Sequence, residues 1–202
     1  MPKLTLVVET GDSRDGLLEA AGQLFRKKGF AATTVREIAE AAGVWPGSLH
    51  YYFPTKESIL LALMEQGIAS AEEGFRAALE EAEDPIERIR LAIRNHIRML
   101  VGDKHGTYVL LYEGRGLEGD ARSAMVRLRD RYDAMWDGLL YQALGTGRLR
   151  KDLDVRLTRL MILGAVNWMA QWYATGKGRS ADEIAEEFAT MMLDGVLKES
   201  GS

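Results

Sequence analysis

The segment Thr33–Phe53, with the sequence TTVREIAEAAGVWPGSLHYYF, constrains the fold of this chain more than any other stretch. Thr33 can cap a helix in which Val35, Ile38 and neighbouring alanines share one apolar face. Gly43 suits the left-handed backbone that ends a helix, and a short segment ending in aromatic residues follows it. A helix, a tight turn and a short helix at this spacing predict the helix-turn-helix that enters the major groove of DNA. An αα-hairpin buried in a helical core is the alternative.

Helical patterns continue on both sides of this segment. Upstream, Ser13–Gly29 has apolar residues on one face and ends in three cations and a glycine, which is typical of a helix C-terminus. Downstream, Pro54 ends the short helix and a new helix begins near Ser58. The continuous sequence LFRKKGFAATTVREIAEAAGVWPGSLHYYFPTKESIL resembles the DNA-binding domain of the TetR family of bacterial repressors, over about Ser13–Gln66.

This resemblance implies an all-α fold of about nine helices, with an N-terminal three-helix helix-turn-helix domain and a larger helical ligand-binding and dimerisation domain. We expect residues 1–11 to form a flexible arm and residues 12–66 to form the DNA-binding domain, with its motif at about 34–54. Residues 67–202 are then the ligand-binding and dimerisation domain. The sequence after Thr55 shows helix patterns and no convincing strand pattern.

The resemblance also places a set of side chains at positions where members of the family contact DNA. They are Thr34, Arg36, Trp45, Ser48, His50, Tyr51 and Lys56. Arg36 can contact a guanine edge or a phosphate, or it can form an ion pair with Glu40 one turn further on. Trp45 replaces the small polar cap that is usual in the family, so it either stacks on the sugar-phosphate edge or folds back on Tyr51. The operator sequence therefore does not carry over from the resemblance.

The charge of the N-terminal domain argues against a large phosphate footprint. The chain has a net charge of −4, and residues 1–66 hold seven Lys/Arg against eight Asp/Glu. Domains that bind nucleic acid usually show a basic patch. Backbone amides at helix N-termini can bind phosphates without a cation, however. We therefore expect few phosphate contacts and a shallow salt dependence of binding.

Two helices in the C-terminal half have patterns that favour pairing with a second copy. Leu157–Tyr173 is apolar nearly all round, and the last helix carries a second apolar stripe. Together they predict a homodimer through a four-helix bundle, as the resemblance also implies. The expected contacts are Gly164, Ala165, Ile184, Phe188, Met191 and Met192. A dimer would place two recognition helices about 34–36 Å apart, which a palindromic operator requires.

A second resemblance concerns the effector. The segments LRDRYDAMW, GRLRKDLDVRL, NWMAQWY and ADEIAEEFATMMLDGVL resemble TetR-type repressors of fatty-acid and steroid catabolism, which respond to acyl-CoA thioesters. The expected ligand-lining residues are Leu110, Leu111, Arg115, Met125, Met135, Trp136, Met161 and Trp168. Alternatively, these methionine and aromatic residues belong to an ordinary hydrophobic core that binds no ligand. The row Arg90, Arg94 and Arg98 is either a site for CoA phosphates or a solvated face.

The function predicted from these features is a DNA-binding repressor that releases a palindromic double-stranded operator when it binds a small hydrophobic effector. The effector is an acyl-CoA, with a drug-like molecule or a free fatty acid as alternatives. A helical interaction protein without DNA binding is the alternative from another class. The short, weakly basic N-terminus and the lack of a membrane-length apolar run predict a cytoplasmic protein without membrane contact.

Enzymes and metalloproteins fit the sequence poorly. The chain has no cysteine and only three histidines, at positions 50, 96 and 105, so no nucleophile or metal-ligand spacing emerges. Gly114–Gly119 matches a dinucleotide-binding GxGxxG spacing. That motif requires a parallel sheet, however, and no second strand follows. We therefore expect no catalytic residue, no metal and no cofactor apart from the effector.

Overall fold

The computed structural model describes residues 10–102, 109, 111–173 and 178–196. Within these ranges the regular elements are helices, which confirms the all-α prediction. They are α1 (Thr10–Lys28), α2 (Val35–Ala41), α3 (Pro46–Tyr52), α4 (Lys56–Glu80), α5 (Pro85–Gly102), a 3-10 helix (Glu113–Gly116), α6 (Gly119–Gly145), α7 (Val155–Asn167), α8 (Met169–Trp172) and α9 (Ala181–Val196). Leu110, His105 and residues 1–9 of the predicted arm lie outside the described residues.

The chain divides into two compact units. The first contains the described residues of 1–66 and of 104–125, and the second contains those of 67–103 and 126–202. The first unit thus holds the predicted DNA-binding domain together with the segment that follows α5. Helices α4 and α6 each contribute residues to both units.

A capping box starts α2, one residue later than the sequence predicted. The Thr34 hydroxyl accepts a hydrogen bond from the Glu37 amide, and the Glu37 carboxylate accepts one from the Thr34 amide at 2.9 Å. Thr33 is buried instead, and its hydroxyl donates to the Gly29 carbonyl at 2.8 Å. Lys28 lies 2.6 Å from the same Glu37 carboxylate, and its hydrogen bond and those of Thr34 lower the pKa of Glu37 to about 2.

Burial on one side of α3 sets the geometry of the helix-turn-helix. Gly43 has φ of +69°, so it adopts the left-handed conformation that the turn between α2 and α3 requires. Pro46 follows Trp45 as the first residue of α3, where its missing N–H costs nothing. Leu49 is fully buried and Phe53, which ends α3, is nearly so. These two apolar anchors hold the short helix against the rest of the first unit.

Side-chain caps also start helices of the second unit. The Asp154 carboxylate accepts a hydrogen bond from the Leu157 amide at 2.9 Å and so caps α7. Ser180 caps α9 and forms a capping box with Glu183. The predicted helical segment Leu157–Tyr173 is divided at Trp168 into α7 and the single turn of α8.

Ion pairs join the arginine row of α5 to α9. Arg90 and Arg94 lie 2.7 Å and 3.0 Å from the two oxygens of Glu186, and Arg98 lies 2.6 Å from Asp182. The row is therefore a set of partly exposed ion pairs, in which the Arg98 and Asp182 side chains are both 57% exposed. Each guanidinium already has a carboxylate partner that an incoming phosphate would have to displace.

Adjacent residues of α3 offer a direct test of this packing. Leu49→Ala should lower the free energy of unfolding by about 2–5 kcal/mol, because it removes a fully buried side chain. His50→Ala should change it by less than about 0.5 kcal/mol, because His50 is exposed. Urea unfolding followed by circular dichroism measures both values. Equal losses for the two variants would contradict the orientation of α3 described above.

Candidate nucleic-acid interface and buried polar cluster

The outward face of α3 carries the polar side chains that the sequence assigned to DNA. Ser48, His50 and Tyr51 are exposed, and Tyr51 has 84% of its surface free. Tyr52 is half-buried and its ring meets that of Tyr51 edge-on, with the centroids 5.3 Å apart. Helix α3 contains no acidic residue, so this face offers hydroxyl and imidazole groups without a carboxylate to repel phosphate. Hydrogen bonds to base edges and to phosphate oxygens both suit these groups.

Trp45 lies at the start of the same face. Its side chain is 76% exposed and makes no capping hydrogen bond, as the sequence predicted. The indole lies over Gly47, because a Cβ added at Gly47 would come within 2.9 Å of two of its ring carbons. Gly47 thus leaves the space in which the Trp45 ring rests at the surface.

The two predicted DNA contacts on α2 are exposed and already have partners in the same helix. Arg36 forms an ion pair with Glu40, with Nε 2.8 Å from Oε1. This is one of the two interpretations that the sequence left open. Exposed pairs of this kind contribute little stability, so the pair does not prevent Arg36 from turning to DNA. Thr34 is exposed, and its hydroxyl belongs to the capping box of α2.

Lys56 has partners other than the predicted phosphate. Its Nζ donates to the carbonyls of Phe30 at 2.8 Å and Thr33 at 2.9 Å, and it lies 4.3 Å from the centroid of the Phe30 ring. A third carbonyl, that of Ala31, lies at 3.5 Å. An ammonium group has three donors, so a phosphate would compete with these carbonyls. In the structure Lys56 joins the start of α4 to the loop between α1 and α2.

The residues predicted to line an effector tunnel are distributed over both units. In the first unit Leu111 is half-buried, Arg115 is exposed and Met125 is buried. In the second unit Met135 is half-buried and Trp136 has no exposed surface. Leu110 lies outside the described residues.

Two of the residues predicted to line the effector tunnel lie at the surface instead. Met161 is 59% exposed and Trp168 is 64% exposed. The prediction that they line an interior tunnel of this chain is therefore corrected. Helical periodicity identified them as apolar, but it did not show that their side of α7 faces away from the core of the unit.

An exposed apolar face runs along α7, α8 and α9. Its exposed members are Leu157, Leu160, Met161, Gly164, Trp168, Trp172 and Met191. Of the other residues predicted for dimerisation, Ala165, Ile184, Phe188 and Met192 are half-buried. A groove of about 520 Å³ lies on this side, lined by Trp172, Tyr173, Arg179, Ile184, Glu187, Phe188 and Met191. Sequence reasoning missed Leu157, Leu160 and Trp172, although the spacing of 157, 160, 161, 164 and 168 is that of one helical face.

Polar side chains meet in the core of the second unit. His96 of α5 is buried, with Nδ1 2.8 Å from the Tyr132 hydroxyl and Nε2 2.9 Å from Asn167 Oδ1. Burial lowers the pKa of His96 to about 4, so the ring is neutral at pH 7. Burial likewise raises the pKa of Tyr132. His96 is thus a core histidine, and Asn167 reaches it from α7.

Two classes of site are absent from the described part of the chain. No group of three or more His, Cys, Asp or Glu side chains there has the arrangement of a metal site. None of the helices in the same ranges has the length and apolarity needed to cross a bilayer.

Comparisons with known families match both parts of the chain. The family described as "Bacterial regulatory proteins, tetR family" matches residues 17–63. The family described as "Tetracyclin repressor-like, C-terminal domain" matches residues 82–196. The two models thus match the N-terminal and the C-terminal part of the chain, respectively.

Similar proteins include two regulators that align over most of their length. The HTH-type transcriptional repressor KstR2 of Mycobacterium tuberculosis (strain H37Rv) is 28% identical over 194 residues, with 95% of this chain and 96% of the relative covered. The fatty acid metabolism regulator protein of Bacillus subtilis is 29% identical over 181 residues, which cover 89% of this chain and 93% of the relative.

Solved structures of similar regulators share the fold. The ketosteroid transcriptional regulator KstR2 of Mycobacterium tuberculosis superposes with a TM-score of 0.82 at 26% identity, covering 98% of this chain and all of that one (100%). The regulator FadR of Bacillus subtilis, solved in complex with stearoyl-CoA, superposes with a TM-score of 0.77 at 25% identity, covering 90% of this chain and 98% of that one.

The buried histidine predicts a pH dependence of stability. Its pKa is about 4 in the folded chain and 6.5 when unperturbed, so between these values the unfolded state binds a proton that the folded state does not. Stability that is present above pH 6.5 should therefore fall as the pH drops toward 4, by up to about 3 kcal/mol. Urea unfolding at pH 7.5, 5.5 and 4.5 measures this loss.

Matched variants separate this effect from the general acid sensitivity of the fold. His96→Phe should flatten the pH dependence between pH 6.5 and 4, whatever its absolute stability, because the titrating ring is gone. His50→Phe changes an exposed histidine and should retain the wild-type slope. A His96→Phe variant with an unchanged slope would contradict the burial of a neutral imidazole.

Proposed function

The chain belongs to the TetR family of bacterial transcriptional regulators, and on that premise we propose that it is a repressor that releases a palindromic operator when it binds a long-chain acyl-CoA. Its relatives are regulators, and the chain is likewise a regulator and not an enzyme. Its partners would be double-stranded operator DNA, a second copy of itself and the effector, with no resident cofactor. Operator DNA of a bacterium lies in the cytoplasm, which is where such a repressor acts.

The observation that carries the DNA-binding proposal is the division of α3 into a buried and an exposed side. Leu49 and Phe53 are buried, so Ser48, His50 and Tyr51 project from the opposite side. A recognition helix needs this arrangement, because rigid placement of base-contacting groups avoids the entropy cost of ordering them on binding. Thr34, Arg36, Trp45 and Lys56 remain predicted contacts around this helix, with Lys56 the one whose donors are already engaged.

The exposed apolar face supports the proposed homodimer. Six large apolar side chains of α7, α8 and α9 are at least half exposed in the single chain: Leu157, Leu160, Met161, Trp168, Trp172 and Met191. Exposed apolar side chains grouped in this way mark an interaction surface. A second copy would cover it symmetrically, and Gly164 at its centre would let the two α7 helices approach closely. Arg179 and Glu187, which help to line the groove of about 520 Å³ on this side, form an ion pair.

Similarity to acyl-CoA-binding regulators supports the choice of effector. The FadR relative was solved with stearoyl-CoA, and it aligns with nearly all of this chain. The apolar side chains of the second unit's core, such as Phe75, Ile93 and Trp136, would surround the acyl chain. Because Arg90, Arg94 and Arg98 are paired with α9 carboxylates, the CoA phosphates would bind elsewhere or would displace Glu186 and Asp182. Effector binding would lower DNA affinity by favouring a dimer whose recognition helices are wrongly spaced.

Fluorescence anisotropy on a labelled operator duplex tests the function. The duplex is the region upstream of the chain's own gene, or one selected by the protein from genomic fragments. We expect specific binding and at least about a tenfold loss of affinity at saturating stearoyl-CoA. Stearic acid should leave binding unchanged. Release by stearic acid and not by stearoyl-CoA would identify a free fatty acid sensor. Failure to select any DNA would identify a helical interaction protein.

A matched pair of tyrosines tests the orientation of α3 on DNA in the same assay. Tyr51→Ala should weaken operator binding about tenfold, which corresponds to the loss of one good contact. Tyr141→Ala removes another exposed tyrosine, on α6, and should leave binding unchanged. Equal effects of the two substitutions would contradict the proposed interface.

Two glycines offer a matched test of the dimer face. A Cβ at Gly164 or at Gly138 meets no atom within 4 Å in the single chain, so both positions accept a side chain without internal clash. Gly164→Glu should therefore keep the fold but halve the native mass, because it places a charge where two α7 helices meet. Gly138→Glu on α6 should remain dimeric. Sedimentation velocity measures the mass, and a dimeric Gly164→Glu variant would contradict the interface.

A further inference from the structure

Four helices of the second unit contribute side chains to one cluster of neutral polar and aromatic groups in its core. His96 of α5 contacts Tyr132 of α6 and Asn167 of α7 through its two ring nitrogens. The ring of Trp136, one turn after Tyr132, lies 6.3 Å from that of His96 and 5.2 Å from that of Phe75 on α4. His96, Tyr132, Trp136 and Phe75 are all buried.

The hydrogen bonds of His96 fix the direction of donation in the cluster. Asn167 Oδ1 is an acceptor, so it takes the hydrogen of Nε2. A neutral imidazole carries one hydrogen, and Nδ1 is therefore an acceptor that takes the hydrogen of the Tyr132 hydroxyl. Both nitrogens of the ring are engaged in this way. His96 consequently has no acceptor left for a further N–H group.

Two buried N–H groups beside this cluster lack an acceptor. Within the described residues, Trp136 Nε1 and Asn95 Nδ2 are buried without a hydrogen-bond partner. The Trp136 N–H is close enough to Tyr132 to offset part of the rise in its pKa, but its geometry falls short of a hydrogen bond. Asn95 precedes His96, and its amide lies against Gly74, where a Cβ would come within 2.8 Å of Oδ1. The excess polar groups are thus donors.

The missing partner of such donors is an acceptor that tolerates an apolar site. Buried polar groups in native proteins are nearly always paired, so an unpaired one requires a specific explanation. A phosphate or carboxylate is a poor partner, because the neutral His96 supplies no compensating charge and burial of an anion is costly. A neutral carbonyl oxygen carried by an apolar molecule meets both requirements. It accepts from N–H groups, and its hydrocarbon part packs against residues such as Phe75.

We propose that Trp136 Nε1, beside the His96–Tyr132 pair, is the binding point for a neutral carbonyl oxygen of the effector. The inference rests on the proposed function for the identity of the effector as an acyl-CoA. Two sources of the oxygen share this chemistry: the thioester carbonyl next to the sulfur, and a ketone carried further along an acyl chain or ring. His96 and Asn167 are positioning residues, because their hydrogen bonds fix the orientation of the Tyr132 hydroxyl beside the indole.

Isothermal titration calorimetry on the full-length dimer tests the binding point. Three ligands are compared: stearoyl-CoA, the S-octadecyl-CoA thioether, which lacks the carbonyl, and an S-(oxo-octadecyl)-CoA thioether, which carries only a chain ketone. The wild type should bind a carbonyl-bearing ligand about tenfold more tightly than S-octadecyl-CoA, a difference of about 1.4 kcal/mol. Preference for stearoyl-CoA identifies the thioester, and preference for the oxo thioether identifies the chain ketone.

Trp136→Phe removes the N–H and retains an aromatic ring, so it should abolish this preference and bind all three ligands alike. Operator binding without effector reports that the variant is folded, because binding a palindromic operator requires the dimer that the second unit would form. Tyr132→Phe should also reduce the preference, and Tyr141→Phe, on an exposed face of the same helix, should retain it. A wild type without preference, or a Trp136→Phe variant that keeps it, overturns the inference and leaves an ordered water as the acceptor.

A second readout does not depend on CoA. In the ¹⁵N-labelled protein, the indole N–H resonance of Trp136 is assigned by its loss in Trp136→Phe. Addition of 2-tridecanone should move this resonance downfield, and tridecane should not. A shift with the ketone when no acyl-CoA binds would retain the binding point and refute the acyl-CoA effector. Absence of a ketone-specific shift would overturn the binding point even where acyl-CoA releases DNA.

Discussion

The burial of Leu49 is the contact on which the candidate DNA interface depends. Helix α3 spans Pro46–Tyr52, which is too short to be stable by itself in water. Its orientation is therefore set by the side chains that it buries, and these are Leu49 within the helix and Phe53 at its end. Because the helical repeat is fixed, burying Leu49 leaves Ser48, His50 and Tyr51 outside. One apolar contact thus determines which groups the protein can present to a base.

The charged groups of the second unit are largely engaged with one another. Besides the α5–α9 pairs, the nearly buried Arg159 contacts both Asp133 and Asp137, and buried Glu72 contacts Arg131. Burial raises the pKa of Asp133 even so, which shows that its desolvation outweighs the attraction of Arg159. Because these cations already have carboxylate partners, a ligand in the core would be recognised by neutral hydrogen-bond donors. The N–H group of Trp136, which has no hydrogen-bond partner, is such a neutral donor.

The sequence predicted well those features that depend on local pattern, and less well those that depend on distant neighbours. The helix, the turn at Gly43 and the short helix after it were predicted, because apolar periodicity and turn residues act over a few positions of the chain. Met161 and Trp168 were placed wrongly, because periodicity defines an apolar face but not whether this chain or a second copy covers it. The ion pairs between the arginine row and α9 were not predicted for a similar reason, since Glu186 lies far from Arg90 in the sequence. The DNA contacts stay predictions. No sequence pattern indicated that Lys56 would donate to the carbonyls of Phe30 and Thr33.

Contacts around Phe30 show how the start of α2 is tied to the segment after α5. The Phe30 amide donates to the Glu113 carboxylate at 2.7 Å, and the Gly116 Cα leaves room for the Phe30 ring, since a Cβ there would lie 3.3 Å from it. The Phe30 carbonyl and ring also contact Lys56 Nζ. One loop residue thus joins the 3-10 helix, the start of α4 and the loop that precedes the Thr34 cap. A displacement of Glu113 must either break the Phe30 bond or move that loop, and α2 begins only a few residues later.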